Sequence, residues 1–187
     1  GWDQTDDTSK AAFNTCIANL AATGVEIYTR KDDPIIEAYE AETKNSPELW
    51  RQLYRFEMRW PMYQYLDYDS EKIPPRLKAG IQEGAGLTQA EYRAALVRRA
   101  HWRTLHDELT RRCDGLITLS SPGPAPIGID QGSAIYNEAS SIIGMPAISL
   151  PLLCVEDVPM GVQLQGRTHR DEALTAAGSW ITAAILN

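Results

Sequence analysis

Residues 113–166 constrain the fold of this chain more than any other part of its sequence. Two short apolar runs, residues 115–119 and 147–150, bracket a loop rich in proline and glycine and the pair Tyr136-Asn137. Short apolar runs bounded by glycine and proline are typical of buried strands, and the residues from 136 to 143 have the pattern of a helix. The stretch therefore predicts strand, loop, helix and strand in succession, an arrangement typical of the wall of a ligand pocket.

The rest of the chain alternates helix and strand signals. Helices are predicted behind the caps Asp6 and Thr8, at Asp33-Pro34, at Ser46-Pro47, after Pro74-Pro75, at Thr88 and at Asp171, and further strands at residues 25–29 and 161–165. Strands separated by helices predict an α/β fold with helices on both faces of a sheet. The helical block of residues 33–112 is predicted to be an excursion between two strands rather than a separate domain.

Two positions in the helical block carry specific predictions. Thr88 and Glu91 have the capping-box spacing, which predicts a long helix from Thr88 to Arg112. Trp60-Pro61 is predicted to interrupt the preceding helix, because proline lacks the backbone donor that a helix interior needs.

Four linked motifs occur in order along the second half of the chain. They are Asp114 with its apolar strand and proline loop to Pro126, the pair Tyr136-Asn137, the run Gly144-Met145-Pro146-Ala147-Ile148-Ser149-Leu150-Pro151, and Pro159-Met160-Gly161-Val162-Gln163. This succession resembles the C-terminal half of the amidase signature family. The small, malonamidase-like members look closest, because the loop between Pro126 and Tyr136 is short.

The resemblance implies the C-terminal part of the amidase signature fold, a mixed central β-sheet covered by helices on both faces. Residues 1–187 would then be the C-terminal portion of a single amidase signature domain. A chain that begins at Gly1, with no initiating methionine, fits the expectation that the N-terminal catalytic half is absent.

The resemblance also implies an activity, the hydrolysis of a carboxamide C–N bond to a carboxylate and ammonia or an amine. In such enzymes a serine attacks the carbonyl and a neutral lysine draws the proton through a bridging cis-serine. The sequence has no Gly/Ser-rich segment of the family's form, and all five lysines lie outside any matching context. We therefore expect no catalytic residue in this chain and place the triad in the missing half.

The residues expected to bind substrate are Pro124, Pro126, Tyr136 and Asn137, within the segment from Pro122 to Asn137. The Asn137 amide can donate and accept, so it can hold either the loop backbone or a substrate amide, and the first role is slightly favoured. The segment from Met58 to Tyr65, and the aromatic residues Trp60, Tyr63, Tyr65 and Tyr68, can line a cavity or pack in a core.

Two other functional hypotheses remain open at the level of sequence. One is a noncatalytic, amidase-like binding or assembly subunit. The other is a self-contained hydrolase that uses Ser121 with a histidine, although Ser120-Ser121-Pro122 has no nucleophile-elbow pattern and loop hydroxyls usually cap local backbone.

No metal or cofactor is expected. His101 and His106 are five residues apart, which turns their side chains away from each other on a helix, and no phosphate-binding or dinucleotide-binding glycine pattern occurs.

The amino-acid composition limits the classes of partner expected for this chain. A formal charge of -7 argues against nucleic acid and anionic membranes, and no apolar run approaches the roughly 20 residues that span a bilayer. Three scattered cysteines favour a reducing, cytoplasmic setting. The expected partners are a small amide substrate, the missing half or a partner chain, and a second copy in a homo-oligomer.

Overall fold

A computed structural model of the chain describes residues 1–128 and 132–186, which form seven α-helices, two short 3-10 helices at Trp2–Gln4 and Ser70–Lys72, and three strands. The helices are α1 (Asp7–Ala22), α2 (Pro34–Thr43), α3 (Ser46–Asp69), α4 (Pro75–Gly86), α5 (Gln89–Leu109), α6 (Glu138–Ile143) and α7 (Asp171–Leu186). The strands are β1 (Leu116–Leu119), β2 (Ala147–Val155) and β3 (Val158–Gln165). The predicted α/β class is confirmed.

The three strands form one sheet in the order β1-β3-β2, with β3 in the centre. Both pairs are antiparallel, and Gln165 lies opposite Leu116 on one side and Ala147 on the other. A mixed sheet also needs parallel pairing, which is not found among the strands that the structure describes.

The two faces of the sheet differ in chemistry because side chains alternate along each strand. One face carries Ile117 and Leu119 of β1 with Val162 and Leu164 of β3, and it packs against α1 and α7. Gly178 lets α7 approach closely, since a Cβ there would lie 2.3 Å from Cδ1 of Ile148.

The other face carries Thr118, Gln163, Gln165 and Ser149, together with Leu116, which packs against the helical block. Helices therefore pack on both faces of the sheet, as predicted. We call this second surface the polar face.

The helical block has its own buried centre at Trp102, which is 0% exposed. The cluster around it joins residues of α2, α3 and α5 to residues of α6 and to Met145; its buried members are Tyr39, Leu49, Leu53, Ala95, Trp102, Leu109, Ala139, Ile142, Ile143 and Met145. Because α6 belongs to this cluster, the block is packed directly against the segment that precedes β2.

Helix starts agree closely with the sequence. The Asp6 carboxylate accepts from the backbone N–H of Ser9 at 2.6 Å, which caps α1. Thr88 and Glu91 form the predicted capping box at the start of α5, which ends at Leu109, three residues before the predicted Arg112.

The strand predicted at residues 25–29 is wrong, because the structure forms no strand there. Val25 and Ile27 are partly buried against the cluster around Leu174, while Glu26 and Tyr28 point to solvent. The alternation that suggested a strand is present, but a strand also needs a neighbour for its backbone groups, and periodicity carries no information about that neighbour.

The predicted interruption at Trp60-Pro61 is also wrong, since α3 continues through Pro61 to Asp69. Proline at this position removes the hydrogen bond to the carbonyl of Glu57. Glu57, Trp60 and Pro61 are all exposed, so water can satisfy that carbonyl and the helix persists.

None of the helices in residues 1–128 and 132–186 is long and apolar enough to cross a membrane.

His106 gives the fold a predicted pH dependence. Its imidazole is 1% exposed in α5, and burial lowers its pKa, an effect partly offset by Asp107 and the backbone of Gly166. A lowered pKa means that the unfolded chain takes up the proton first, so stability is lost as pH falls below about 6.5, the ordinary value for histidine. We expect the unfolding free energy to fall there by at most about 1.4 kcal/mol per pH unit from this group.

Urea unfolding of the wild type and of His106→Gln between pH 5 and 8 measures this effect, and the variant should have the flatter profile. His101→Gln is the matched control, because His101 lies exposed on the same helix. Equal pH profiles for wild type and His106→Gln would contradict the assignment.

Candidate functional site

The candidate site is built where β1 ends and the proline loop begins. The Ser120 backbone N–H donates to the Gly161 carbonyl at 3.0 Å, and the Ser120 hydroxyl lies 2.7 Å from the Ser149 hydroxyl of β2. The two hydroxyls meet above Gly161, where an added Cβ would lie 2.1 Å from Ser149 Oγ and 2.6 Å from Ser120 Oγ. Only glycine at this position lets the two hydroxyls approach across β3.

Three carboxamide side chains at the polar face form a row of hydrogen bonds that ends on the backbone at the start of the loop. Asn137 Nδ2 donates to the Ser120 carbonyl at 3.1 Å, and Asn137 Oδ1 accepts from Gln163 Nε2. Gln163 Oε1 in turn accepts from Gln165 Nε2. Both glutamines are buried, although they are polar, because each amide has a neighbour for its hydrogen bond.

Tyr136 is held by the N-terminal segment. Its hydroxyl lies 2.7 Å from Thr5 Oγ1, and its ring lies so close to Gly1 that a Cβ there would be 2.8 Å from Cζ. Burial raises the pKa of Tyr136, so its side chain is a neutral phenol at physiological pH. The ring also packs against the apolar cluster that includes Cys16 and Val162.

The loop is fixed near its start by its own hydroxyl and by α1. Ser121 Oγ donates to the Gly123 carbonyl at 2.6 Å, and the Asp6 backbone N–H donates to the Pro122 carbonyl at 3.3 Å. Hydrogen bonds from Ser9 lower the pKa of Asp6, which therefore stays ionised as the cap of α1.

The four predicted substrate residues divide into two pairs. Tyr136 and Asn137 lie together at the base of the loop, whereas Pro124 is half-buried and Pro126 is exposed further along it. Residues 129–131 of the same loop lie outside the described residues. Their substrate contacts stay predictions.

The structure places Asn137 Nδ2 on the loop backbone and its Oδ1 on Gln163. That arrangement matches the loop-holding role, which the sequence left open beside substrate binding.

The hypothesis of a Ser121 nucleophile finds no support in the geometry. The Ser121 hydroxyl donates to a backbone carbonyl, and the three histidines lie on α5 or just before α7, at His101, His106 and His169. Ser120 is paired with another serine rather than with a base.

The aromatic segment is not part of this site. Trp60, Tyr65 and Tyr68 are exposed on the C-terminal half of α3, with Trp60 77% exposed, while Met58 is buried in the block. Their exposure, and that of Tyr63, contradicts a packed core among the described residues, and a role in lining a cavity together with added polypeptide stays a prediction.

Sequence reasoning missed Gln163, Gln165 and Thr5 as parts of the site. The two glutamines stand at alternate positions of one strand, so they share a face, and polar residues on a buried strand are a detectable signal. Thr5 carries no such signal, because its partner Tyr136 is 131 residues away in the chain.

Within the described residues, no group of three or more histidine, cysteine, aspartate or glutamate side chains is arranged to hold a metal ion.

Comparison with known proteins finds sequence relatives for part of the chain and solved structures with the same fold. No protein-family model matches it. It is 29% identical over 123 residues to a glutamyl-tRNA(Gln) amidotransferase subunit from Clostridium botulinum (strain Eklund 17B / Type B), a match that covers 59% of this chain and 25% of the relative. The chain thus spans about a quarter of the length of that curated relative.

Two solved structures show the same fold. A crystal structure of an amidase superposes with a TM-score of 0.82 at 23% identity, over 97% of this chain and 43% of the amidase. A bacterial aryl acylamidase that belongs to the amidase signature enzymes superposes with a TM-score of 0.59 at 17% identity, over 76% of this chain and 34% of the enzyme.

Proposed function

We propose that this chain, whose sequence and fold are those of an amidase signature C-terminal region, forms part of a hydrolase that cleaves a carboxamide to a carboxylate and ammonia or an amine. The observation that carries the proposal is that the four sequence motifs fold into one wall. Ser120 of the first motif, Asn137 of the second, Ser149 of the third and Gln163 of the fourth are joined by hydrogen bonds.

The proposed division of labour follows from the side chains that this wall contains. Hydroxyls and carboxamides are weak nucleophiles and weak bases at neutral pH, but they orient loops and substrates well. The serine nucleophile, the cis-serine and the lysine base would come from an N-terminal half, and residues 1–187 would complete the domain. The loop with Pro124, Pro126, Tyr136 and Asn137 would form part of the acyl pocket.

The polar face offers a surface for such a half. Ala147, Ser149 and Pro151 of β2 are exposed there, beside the hydroxyl pair with Ser120. The segment at residues 25–29 offers a second, because the partly buried Val25 and Ile27 alternate there with the exposed Glu26 and Tyr28, as in a strand. We propose that added polypeptide covers the exposed β2 part of the polar face and pairs with an edge of the sheet to supply the parallel strands of a mixed sheet.

A second candidate function is a noncatalytic, amidase-like component of an assembly. The curated relative from Clostridium botulinum is named as one subunit of an enzyme, which favours a chain that works with a partner. In this alternative the wall would bind a partner or a small amide without turnover.

The remaining proposals concern the cellular location, the substrate class, the cofactor and the partners. We place the protein in the cytoplasm, with a small amide as substrate, no cofactor, and a second copy as a further partner. The resemblance to malonamidase-like members of the family stays a prediction.

Native and denaturing mass spectrometry of one preparation tests the proposed function. We expect the 20.8 kDa chain to travel with a polypeptide that carries the Gly/Ser-rich segment, or to be covalently continuous with one. A complex with an unrelated protein would favour the noncatalytic component of an assembly. A soluble 20.8 kDa monomer with no bound polypeptide would contradict the proposed hydrolase and the binding of a partner chain, and would leave only a module that binds a small amide.

A further inference from the structure

We infer that Gln165, Gln163 and Asn137 act together as positioning residues that fix the loop after β1 as a pocket wall. The inference rests on the proposed function, because the value of a fixed loop is the shape it gives to the substrate pocket. This positioning role requires no contact between the three side chains and the substrate.

The direction of the hydrogen bonds is set by one backbone carbonyl. The Ser120 carbonyl can only accept, so Asn137 must turn its NH₂ group toward it. The Asn137 oxygen then faces Gln163, which must donate, and the Gln163 oxygen faces Gln165, which must donate in turn. Each amide orientation is therefore determined by its neighbour.

The burial of the two glutamines permits only this orientation of their amide groups. Gln163 is 4% exposed and Gln165 is 3% exposed, so a reversed amide would leave a donor or an acceptor without water to replace its partner. Aligned hydrogen bonds in such a low-dielectric setting also polarise and strengthen one another. The row is consequently a rigid connection from the end of β3 to the start of the loop.

The row ends on the residue that sets the loop's direction. Ser120 is bonded through its N–H to Gly161, through its carbonyl to Asn137 and through its hydroxyl to Ser149. Three prolines follow in the loop, at Pro122, Pro124 and Pro126. Because proline fixes φ, they restrict the path that the backbone takes after Ser120. Carboxamides do not titrate at ordinary pH, so the loop position should be independent of pH.

Acid-for-amide substitutions test the donor role specifically. In Gln163→Glu the ionised carboxylate has no proton to donate to Asn137, whereas the protonated acid has one. In Asn137→Asp the same holds for the bond to the Ser120 carbonyl, and aspartate remains a suitable residue at the start of α6. Gln163→Met keeps the length of the side chain but never donates.

Hydrogen–deuterium exchange of peptides covering residues 119–128, in the protein as purified, is the readout. At pH 7.5 all three variants should exchange about tenfold faster than wild type, the effect of losing one buried hydrogen bond. Relative to wild type at the same pH, Gln163→Glu and Asn137→Asp should recover as pH falls and the acid is protonated, and Gln163→Met should not. Gln64→Glu, at an exposed site on α3, is the matched charge control and should exchange like wild type.

Two results would overturn the inference: wild-type exchange in all three variants at pH 7.5, or faster exchange with no recovery of the acids at low pH, which would reveal a packing role only. Circular dichroism confirms that each variant is folded. The proposed function fails separately, if the enzyme joined to its N-terminal half hydrolyses no amide while the exchange pattern is as expected.

Discussion

Replacing Trp102 with alanine should lower the free energy of unfolding by about 3–5 kcal/mol, the usual cost of emptying a fully buried aromatic site. The indole is 0% exposed, and its ring lies 5.8 Å from the ring of Tyr39 between centroids. Four helices, α2, α3, α5 and α6, contribute to the cluster around it. Because several helices hold these side chains in place, the cluster should collapse only partly into the space, and most of the cavity should remain.

Urea denaturation of wild type and variant at one pH measures this loss. Trp180→Ala is the matched control, because Trp180 is 52% exposed on α7 and its removal should cost far less. Trp102→Phe should be much milder than alanine, since the indole Nε1–H has no hydrogen-bond partner among the described residues and its loss removes an unsatisfied donor. A Trp102→Ala loss below about 1 kcal/mol would show that the block is loosely packed.

Helix starts were predictable because the information is local. Asp6 and Thr88 each bond to a backbone N–H three residues along the chain, so the cap and its helix lie in one short window of sequence. The end of α5 was less predictable, because no glycine or proline marks it before residue 115.

The sheet was harder to predict because pairing is not local. The hairpin between β2 and β3 turns at Glu156 and Asp157, with φ of 53° and 62°, and this pair lacks the usual Asn-Gly turn signal. The strand predicted at residues 147–150 stopped before Pro151, yet β2 continues past this proline on the edge of the described sheet, where a missing N–H is tolerated.

The candidate site likewise combines residues that a local motif predicts with residues whose position depends on strand pairing. Tyr136 and Asn137 were identified from a motif, and the structure places them at the base of the loop. The glutamines became visible only through the strand register, which sets Gln163 opposite both Thr118 and Ser149 on the polar face. A hydrogen-bonded row across two strands and a helix start depends on that register, and residue types alone do not determine it.

Amide hydrolysis by this chain alone should be slower than that of the chain joined to its catalytic half by a factor on the order of 10⁶, the scale seen when a nucleophile and its base are both removed. A lysine base must be neutral, and burial is what lowers a lysine pKa enough to achieve that near pH 7. None of the five lysines of this chain is buried. At the start of the loop, the Ser121 hydroxyl donates to a backbone carbonyl and the Ser120 hydroxyl faces the Ser149 hydroxyl. Neither of them is hydrogen-bonded to a base.

Ammonia release from a panel of small amides, with the chain alone and with the chain plus the polypeptide identified by mass spectrometry, measures this ratio. Ser121→Ala in the isolated chain is the internal control, because it removes the hydroxyl that a self-contained hydrolase would use. Efficient turnover by the isolated chain that disappears in Ser121→Ala would replace the split arrangement with a complete active site in residues 1–187. No turnover in either sample, from a complex that assembles, would favour the noncatalytic component of an assembly, because the wall would then serve binding alone.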